Sequence, residues 1–251
     1  MRKRTRTLIA LLTVMILAVL PLSSSAVAKK DGKGRAYYEK RGEIVWEVPS
    51  GQKVMALTFD DGPDAVFTSQ IADLLRKYDA KATFFVVGSR VLQNPSVVRQ
   101  LADDGHELAN HTFSHPNMRR LSPARLQREI EKTQKAIYDA TGKKPVLFRP
   151  PGGYYDESLV DSLRKAGFLV VLWSWHQDTK DWTDPGTNKI VAKVLKNARN
   201  GDIVLFHDYG GSRDQTVHAI EEILPTLQKE GYRFVTVSEL LTLSKVRVNG
   251  K

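Results

Sequence analysis

The sequence predicts an α/β protein, a (β/α) barrel of about seven parallel strands. Three observations predict it. Short β-branched or aromatic runs alternate with helical patterns, one unit roughly every 30 residues, which is the rhythm of βα units and a parallel sheet. A glycine stands between most helical patterns and the strand that follows. Polar residues of catalytic type gather at the C-terminal ends of five different strand runs.

Seven runs read as strands: residues 54–59, 83–87, 107–110, 146–149, 169–173, 203–206 and 234–237. After the first, Phe67, Ile71, Leu74, Leu75 and Tyr78 recur at helical spacing. Between the third and fourth, Leu126, Ile130 and Ile137 do the same, behind Ser122 as N-cap and Pro123 at the first helical position. Ile220, Ile223, Leu224 and Leu227 form the helical pattern before the last run. Gly105, Gly142, Gly167, Gly201 and Gly231 fall where a helix gives way to a strand. A residue there takes a left-handed backbone, which glycine adopts without a Cβ penalty. The units share no sequence, so the chain is not a repeat array.

The choice of a barrel over an open sheet comes from where the chemistry falls. Asp60 and Asp61 end the first run, His111 follows the third, Arg149 ends the fourth, Asp178 and Asp181 follow the fifth, and His207 follows the sixth. In an open doubly wound sheet only strands beside the switch point share a site. In a barrel all C-terminal strand ends surround one mouth.

The chain has 251 residues, is 41% hydrophobic and 26% charged, and carries a formal +10. That balance excludes wholesale disorder, and the length suits one large domain. With no cysteine, disulfides, thiolate metal sites and cysteine nucleophiles are excluded. Residues 1–28 read as an export signal: Met1-Arg-Lys-Arg-Thr-Arg6, an apolar run from Leu8 to Leu20, then Ala26-Val27-Ala28. The apolar run is shorter than the roughly 20 residues that span a bilayer, although an uncleaved membrane anchor is the alternative. Either way the expected location is secreted or cell-envelope associated. Four of the 38 basic residues lie in that segment with no acid, so residues 29–251 carry +6. Their basic residues are scattered, which argues against a nucleic-acid partner and leaves attraction to an anionic envelope or a merely solvated surface. Residues 29–50 read as a linker and lead-in, and 51–245 as the functional domain.

Five segments carry chemistry. Asp60-Asp61 in Thr58-Phe59-Asp60-Asp61-Gly62-Pro63 places two acids at a strand end. Alternation along the strand points them in different directions, so one can serve a metal and the other substrate; a solvated turn is the plain alternative. In His111-Thr-Phe-Ser-His115, two imidazoles four apart suit one face of a helical turn. With Asp61 they form a His₂-carboxylate set suited to one divalent ion, zinc first, with cobalt, nickel or iron also compatible. Imidazole ligands argue against calcium and magnesium. Arg149-Pro-Pro-Gly-Gly-Tyr154 is a rigid loop headed by an arginine able to hold a carboxylate. Trp175-His-Gln-Asp178-Thr-Lys-Asp181-Trp182 is a polar loop between indoles that suit sugar stacking, and His207 stands where a general acid or base fits.

Taken in order, these segments resemble the five motifs of the polysaccharide deacetylase family (NodB-homology, carbohydrate esterase 4), over about residues 50–242. The resemblance implies a distorted (β/α) barrel and a hydrolase that removes N-acetyl groups from an envelope polysaccharide, peptidoglycan first and chitin oligomers next. It implies Asp61, His111 and His115 as metal ligands, Asp60 as catalytic base and Arg149 as the residue that orients it. It implies His207 as general acid and Asp178 as the acid that tunes His207. Gly152, Tyr154, Trp175 and Trp182 are the expected substrate contacts. One departure stands out: the family commonly carries tyrosine where this chain has Gly152, which keeps the backbone N–H for the oxyanion but removes the wall of the ring. An O-acetyl esterase acting on xylan with the same site is the alternative. A glycoside hydrolase fits poorly, because its two carboxylates must stand apart across the scissile bond. A non-catalytic carbohydrate-binding module would not be expected to keep Asp60, Arg149 and His207.

Overall fold

The structure is a computed structural model and describes residues 33–243. The expected export signal lies outside the described residues. No helix among them is long and apolar enough to cross a membrane.

The described residues hold eight strands in chain order: β1 (Ile44–Val45), β2 (Val54–Asp60), β3 (Ala82–Val86), β4 (Glu107–Asn110), β5 (Leu147–Phe148), β6 (Leu169–Val171), β7 (Ile203–His207) and β8 (Arg233–Phe234). All pairings are parallel, in the order β1-β6-β5-β4-β3-β2-β7, with β8 joined to the start of β2. Seven strands thus curl into a barrel, as the alternation predicts. Among the described residues nine helices surround them: α1 (Arg35–Arg41), α2 (Phe67–Lys77), α3 (Gly88–Gln93), α4 (Pro95–Asp103), α5 (Pro123–Thr141), α6 (Glu157–Lys165), α7 (Thr187–Leu195), α8 (Asp214–Lys229) and α9 (Val237–Leu243).

The strands form where the apolar runs are continuous because both faces are covered, as a parallel sheet requires. Every residue of β2 and β3 is buried. The helices bury one stripe each: Ile71 and Leu75 on α2, Leu126, Ile130 and Ile137 on α5, and Ile220, Ile223, Leu224 and Leu227 on α8. Ser122 caps α5 by accepting from the Arg125 N–H, with Pro123 behind it.

The barrel is not closed by a ladder between β1 and β7. Its seam is spanned by irregular backbone instead. The Val48 N–H donates to the Gly201 carbonyl (2.9 Å), the Ser174 N–H donates to the Ile203 carbonyl (3.0 Å), and Asp178 bridges to Leu205. Part of the expected linker therefore belongs to the domain. Tyr38 of α1, Ile44 of β1, and Trp46 and Val48 just after it are buried, so the folded unit begins before residue 50. The two-residue strand is too short to show a period, and charged residues on both sides conceal it. At the other end, the run read as 234–237 pairs only through Arg233–Phe234, and Val237 already starts α9.

Gly201 shows why the interrupting glycines matter. Its φ is 88°, and a Cβ there would overlap the Val48 carbonyl oxygen across the seam. Gly201→Ala should lower stability by at least about 2 kcal/mol, from left-handed strain plus the backbone clash. An unfolding free energy from urea titration lowered by less than about 1 kcal/mol would count against this account of the seam.

Candidate active site

The C-terminal ends of β2, β4, β5 and β7 bring the chemistry together. Asp60 is the last residue of β2 and sits opposite His207 of β7 in register. Asp60 is buried, and its Oδ1 accepts from Arg149 Nη1 at 2.7 Å. Arg149 follows β5 and is wholly buried. Its remaining donors reach the Val171 carbonyl (3.1 Å), the Leu172 carbonyl (2.8 Å) and Thr58 Oγ1 (2.8 Å), and its guanidinium lies 4.0 Å from the Phe85 ring centroid. Burial lowers the Arg149 pKa, and Asp60 opposes that shift. A guanidinium with this many partners keeps its charge, so the carboxylate it holds is fixed in place and orientation.

Asp61 does not point away from Asp60 as strand alternation suggests. Its φ is 80°, which turns the chain out of the strand and swings its carboxylate back. Asp61 Oδ1 lies 3.4 Å from His111 Nε2 and 3.2 Å from His115 Nε2, and Asp60 Oδ2 lies 4.0 Å from the same His111 nitrogen. His111 and His115 do not share a helical turn either. They stand on a loop after β4 with left-handed backbone at Thr112 (φ 69°) and His115 (φ 51°), and their ring centroids are 5.2 Å apart. His111 Nδ1 contacts the Arg149 carbonyl at 2.7 Å. A carbonyl only accepts, so Nδ1 carries the proton and Nε2 presents its lone pair toward Asp61.

Asp61, His111 and His115 each offer a ligand atom within 4.8 Å of the others, and Asp61 Oδ1 is buried without a hydrogen-bond partner. A buried carboxylate oxygen left unpaired and flanked by two imidazole nitrogens fits a divalent cation. Burial pushes the Asp61 pKa up, but the His111 contact and the two imidazoles outweigh it and hold the carboxyl well below its usual range. Burial, then His111, lowers the pKa of His115.

The partner of His207 is Asp181, not Asp178. His207 Nδ1 lies 2.7 Å from Asp181 Oδ1, and the His207 backbone N–H donates to Asp181 Oδ2 at 2.8 Å. Thr216 Oγ1 donates to the same oxygen at 2.9 Å. Asp178 instead accepts from the Lys180 N–H (3.2 Å) while its backbone bridges to β7. The reason is local: the chain lies alongside β7 up to Asp178, and only the left-handed Lys180 (φ 52°) turns the next acid inward. Burial disfavours charge on His207, but the Asp181 hydrogen bond and then its charge, with Asp60 and Asp61 behind, push the pKa up to about 9.

The expected substrate contacts divide. Gly152 is exposed, at φ 65°, and a Cβ there would meet nothing within 4 Å. Tyr154 is buried with its hydroxyl donating to Asp156 Oδ2 (2.7 Å) and its ring beneath the Arg119 guanidinium. Tyr155 packs edge-on against Tyr38 and Trp46. Trp182 is exposed beside Asp181. Trp175 is also exposed, but it belongs elsewhere. Its turn starts at the Ser174–Ile203 hydrogen bond, at the beginning of β7, and Arg35 stacks on it. Four strand residues, about 13 Å, separate that level from His207. His218 is exposed on α8 and takes no part.

The fold and site together define a hydrolase-type (β/α) barrel with a His₂-carboxylate donor set beside an acid–base pair. The polysaccharide deacetylase sequence profile matches residues 47–171. A peptidoglycan-N-acetylglucosamine deacetylase of Bacillus cereus is 51% identical over 207 residues, covering 82% of this chain and 97% of that one. The crystal structure of a peptidoglycan N-acetylglucosamine deacetylase in complex with 4-naphthalen-1-yl-N-oxidanyl-benzamide superposes with a TM-score of 0.79 at 34% identity, covering 86% of this chain and 100% of that chain. A family 4 acetyl xylan esterase from Clostridium thermocellum, in complex with a cobalt ion, superposes with a TM-score of 0.73 at 36% identity, covering 78% of this chain and 94% of that one. This chain belongs to the polysaccharide deacetylase family.

Proposed function

We propose that the chain is a metal-dependent hydrolase that removes N-acetyl groups from glucosamine-type residues of peptidoglycan, releasing acetate. The observation that carries this reading is the convergence of the Asp61–His111–His115 donors with a buried, arginine-held carboxylate and a histidine paired with the buried Asp181. The Bacillus cereus relative supports the choice of polymer by its named activity.

Asp61, His111 and His115 would hold the ion, and their chemistry suits zinc, cobalt, nickel or iron. When bound, such an ion lowers the pKa of water and polarises a carbonyl. Asp60, held in orientation by Arg149, takes the proton from the attacking water as its oxygen adds to the acetyl carbon. The Gly152 N–H would serve as the backbone donor for the oxyanion. His207 keeps its Nδ1 on Asp181 and donates from Nε2 to the leaving nitrogen as the C–N bond breaks. Acetate and a free amine result. Trp182 at the rim offers a face for a neighbouring sugar.

The acid role has a sign that can be checked. With its pKa raised to about 9, His207 holds its proton at neutral pH, and the donor form is lost as pH rises through that value. Asp181→Asn removes the main support for the charge while burial still opposes it. The alkaline limb of the pH–rate profile should therefore move down by about one unit or more. A limb that stays in place in this variant removes His207 from the donor role.

Purified chain, with and without chelator, should be incubated on peptidoglycan, chitin oligomers and acetylxylan, measuring acetate and reducing ends. Acetate from peptidoglycan alone, abolished by chelator and without new reducing ends, is expected. Release from acetylxylan alone would establish the esterase reading instead. We further propose export through residues 1–28. Mass spectrometry of the envelope-associated protein should find its N-terminus at residue 29, whereas Met1 retained there would establish an anchor.

A further inference from the structure

Six non-glycine residues among those described have left-handed backbone, and three of them, Asp61, Thr112 and His115, lie in the two loops that carry the metal donors. Such backbone is disfavoured for residues with a Cβ and persists only where the surroundings impose it. Two carboxylates that the proposed chemistry does not use supply those surroundings. Asp208, just past β7 and fully buried, accepts from the Gly62 N–H at 2.9 Å with Oδ1 and from the Thr68 hydroxyl at 2.6 Å with Oδ2. A Cβ on Gly62 would run into that carboxylate. Arg90 holds the same turn from the other side by donating to the Asp61 carbonyl, with its guanidinium 3.5 Å from the Tyr209 ring centroid. Glu129, buried on α5, holds the second loop. Its Oε2 accepts from the Phe113 N–H (2.9 Å) and the Ser114 N–H (2.7 Å), and its Oε1 from the Ser114 hydroxyl (2.9 Å).

We propose that Asp208 and Glu129 are positioning residues that hold the Asp61 and His115 loops in the shape that makes the three donor atoms converge before an ion arrives. The inference rests on the metal reading above. Both carboxylates act on backbone N–H groups next to ligand residues: Asp208 reaches its loop from 146 residues away in the chain, and Glu129 reaches back to its loop from the helix that follows it. Carboxylate-to-N–H bonds are strong and directional, and groups that orient metal ligands typically change metal affinity by about ten- to hundredfold when removed.

The test measures the dissociation constant for Co²⁺ by competition with a chromophoric chelator, on metal-stripped protein shown to be folded by circular dichroism. Asp208→Ala and Glu129→Ala should each weaken binding by about tenfold or more. Asp208→Asn and Glu129→Gln should recover most of the affinity. An amide oxygen still accepts from the backbone N–H groups, and its NH₂ can face the Thr68 or Ser114 hydroxyl. Folded alanine variants with parental affinity overturn the inference, and so do amide variants as weak as the alanine ones, since the effect would then be one of charge. Should an alanine variant fail to fold, Thr68→Val and Ser114→Ala release one bond of each carboxylate. A loss of about threefold there supports the clamp and parental affinity overturns it. A parent chain that takes up no ion overturns the metal reading and this inference with it, whereas unchanged variants of a parent that binds overturn this inference alone.

Discussion

Asp60→Asn should bind a metal ion as tightly as the parent chain and turn over at least about a hundredfold more slowly, the usual contribution of a positioned general base. The three donor residues are untouched by the change, and the asparagine oxygen still accepts from Arg149. What is lost is the charge. An amide cannot take the proton of the attacking water, and Arg149 is left buried without its counterion. Removing one partner of a buried pair usually costs about 3–5 kcal/mol. Here Thr58, Val171 and Leu172 still engage the guanidinium, so a cost nearer the lower figure is expected. Acetate release, metal content and a urea midpoint separate the three effects. Turnover within tenfold of the parent would remove Asp60 from the base role.

His111→Ala should lose metal and turnover together. The imidazole supplies one of three donors, so affinity should fall by about two orders of magnitude or more. The change also leaves the Arg149 carbonyl without the proton it accepts, at a cost of about 1–3 kcal/mol for an unpaired buried acceptor. That link matters, because His111 joins the donor set to the very residue that orients Asp60. Chelation of the parent should reproduce the catalytic loss without the loss of stability. A His111→Ala protein that deacetylates at the parental rate after metal has been stripped would end the scheme.

Gly105, Gly142, Gly167, Gly201 and Gly231 all have φ between 70° and 89°. That conformational demand is local, so it is legible in the residue type alone. The convergence of Asp60, His111, Arg149 and His207 follows from strand order and strand ends, which the apolar runs already mark. Orientation at Asp61 is not legible, because one left-handed residue reverses what alternation predicts, and Arg90 and Asp208, which flank it, lie far off in the chain. The choice between Asp178 and Asp181 fails in the same way: either acid suits the loop, and the turn at Lys180 decides. Trp175 is misplaced because motif order says nothing about the level along β7 at which a loop departs. The strand β1 is missed because two residues carry no period.

The seam between β1 and β7 has a consequence for how the chain reaches its native state. The last stave of the barrel is its earliest segment, and the backbone it docks against, Leu172 and Gly201, comes late in synthesis. The ring cannot shut until most of the polypeptide is present, and contacts so remote in sequence form slowly. Until then Trp46 and Val48 have no surface to cover them, and the nascent molecule carries a sticky edge that a holding chaperone is suited to mask.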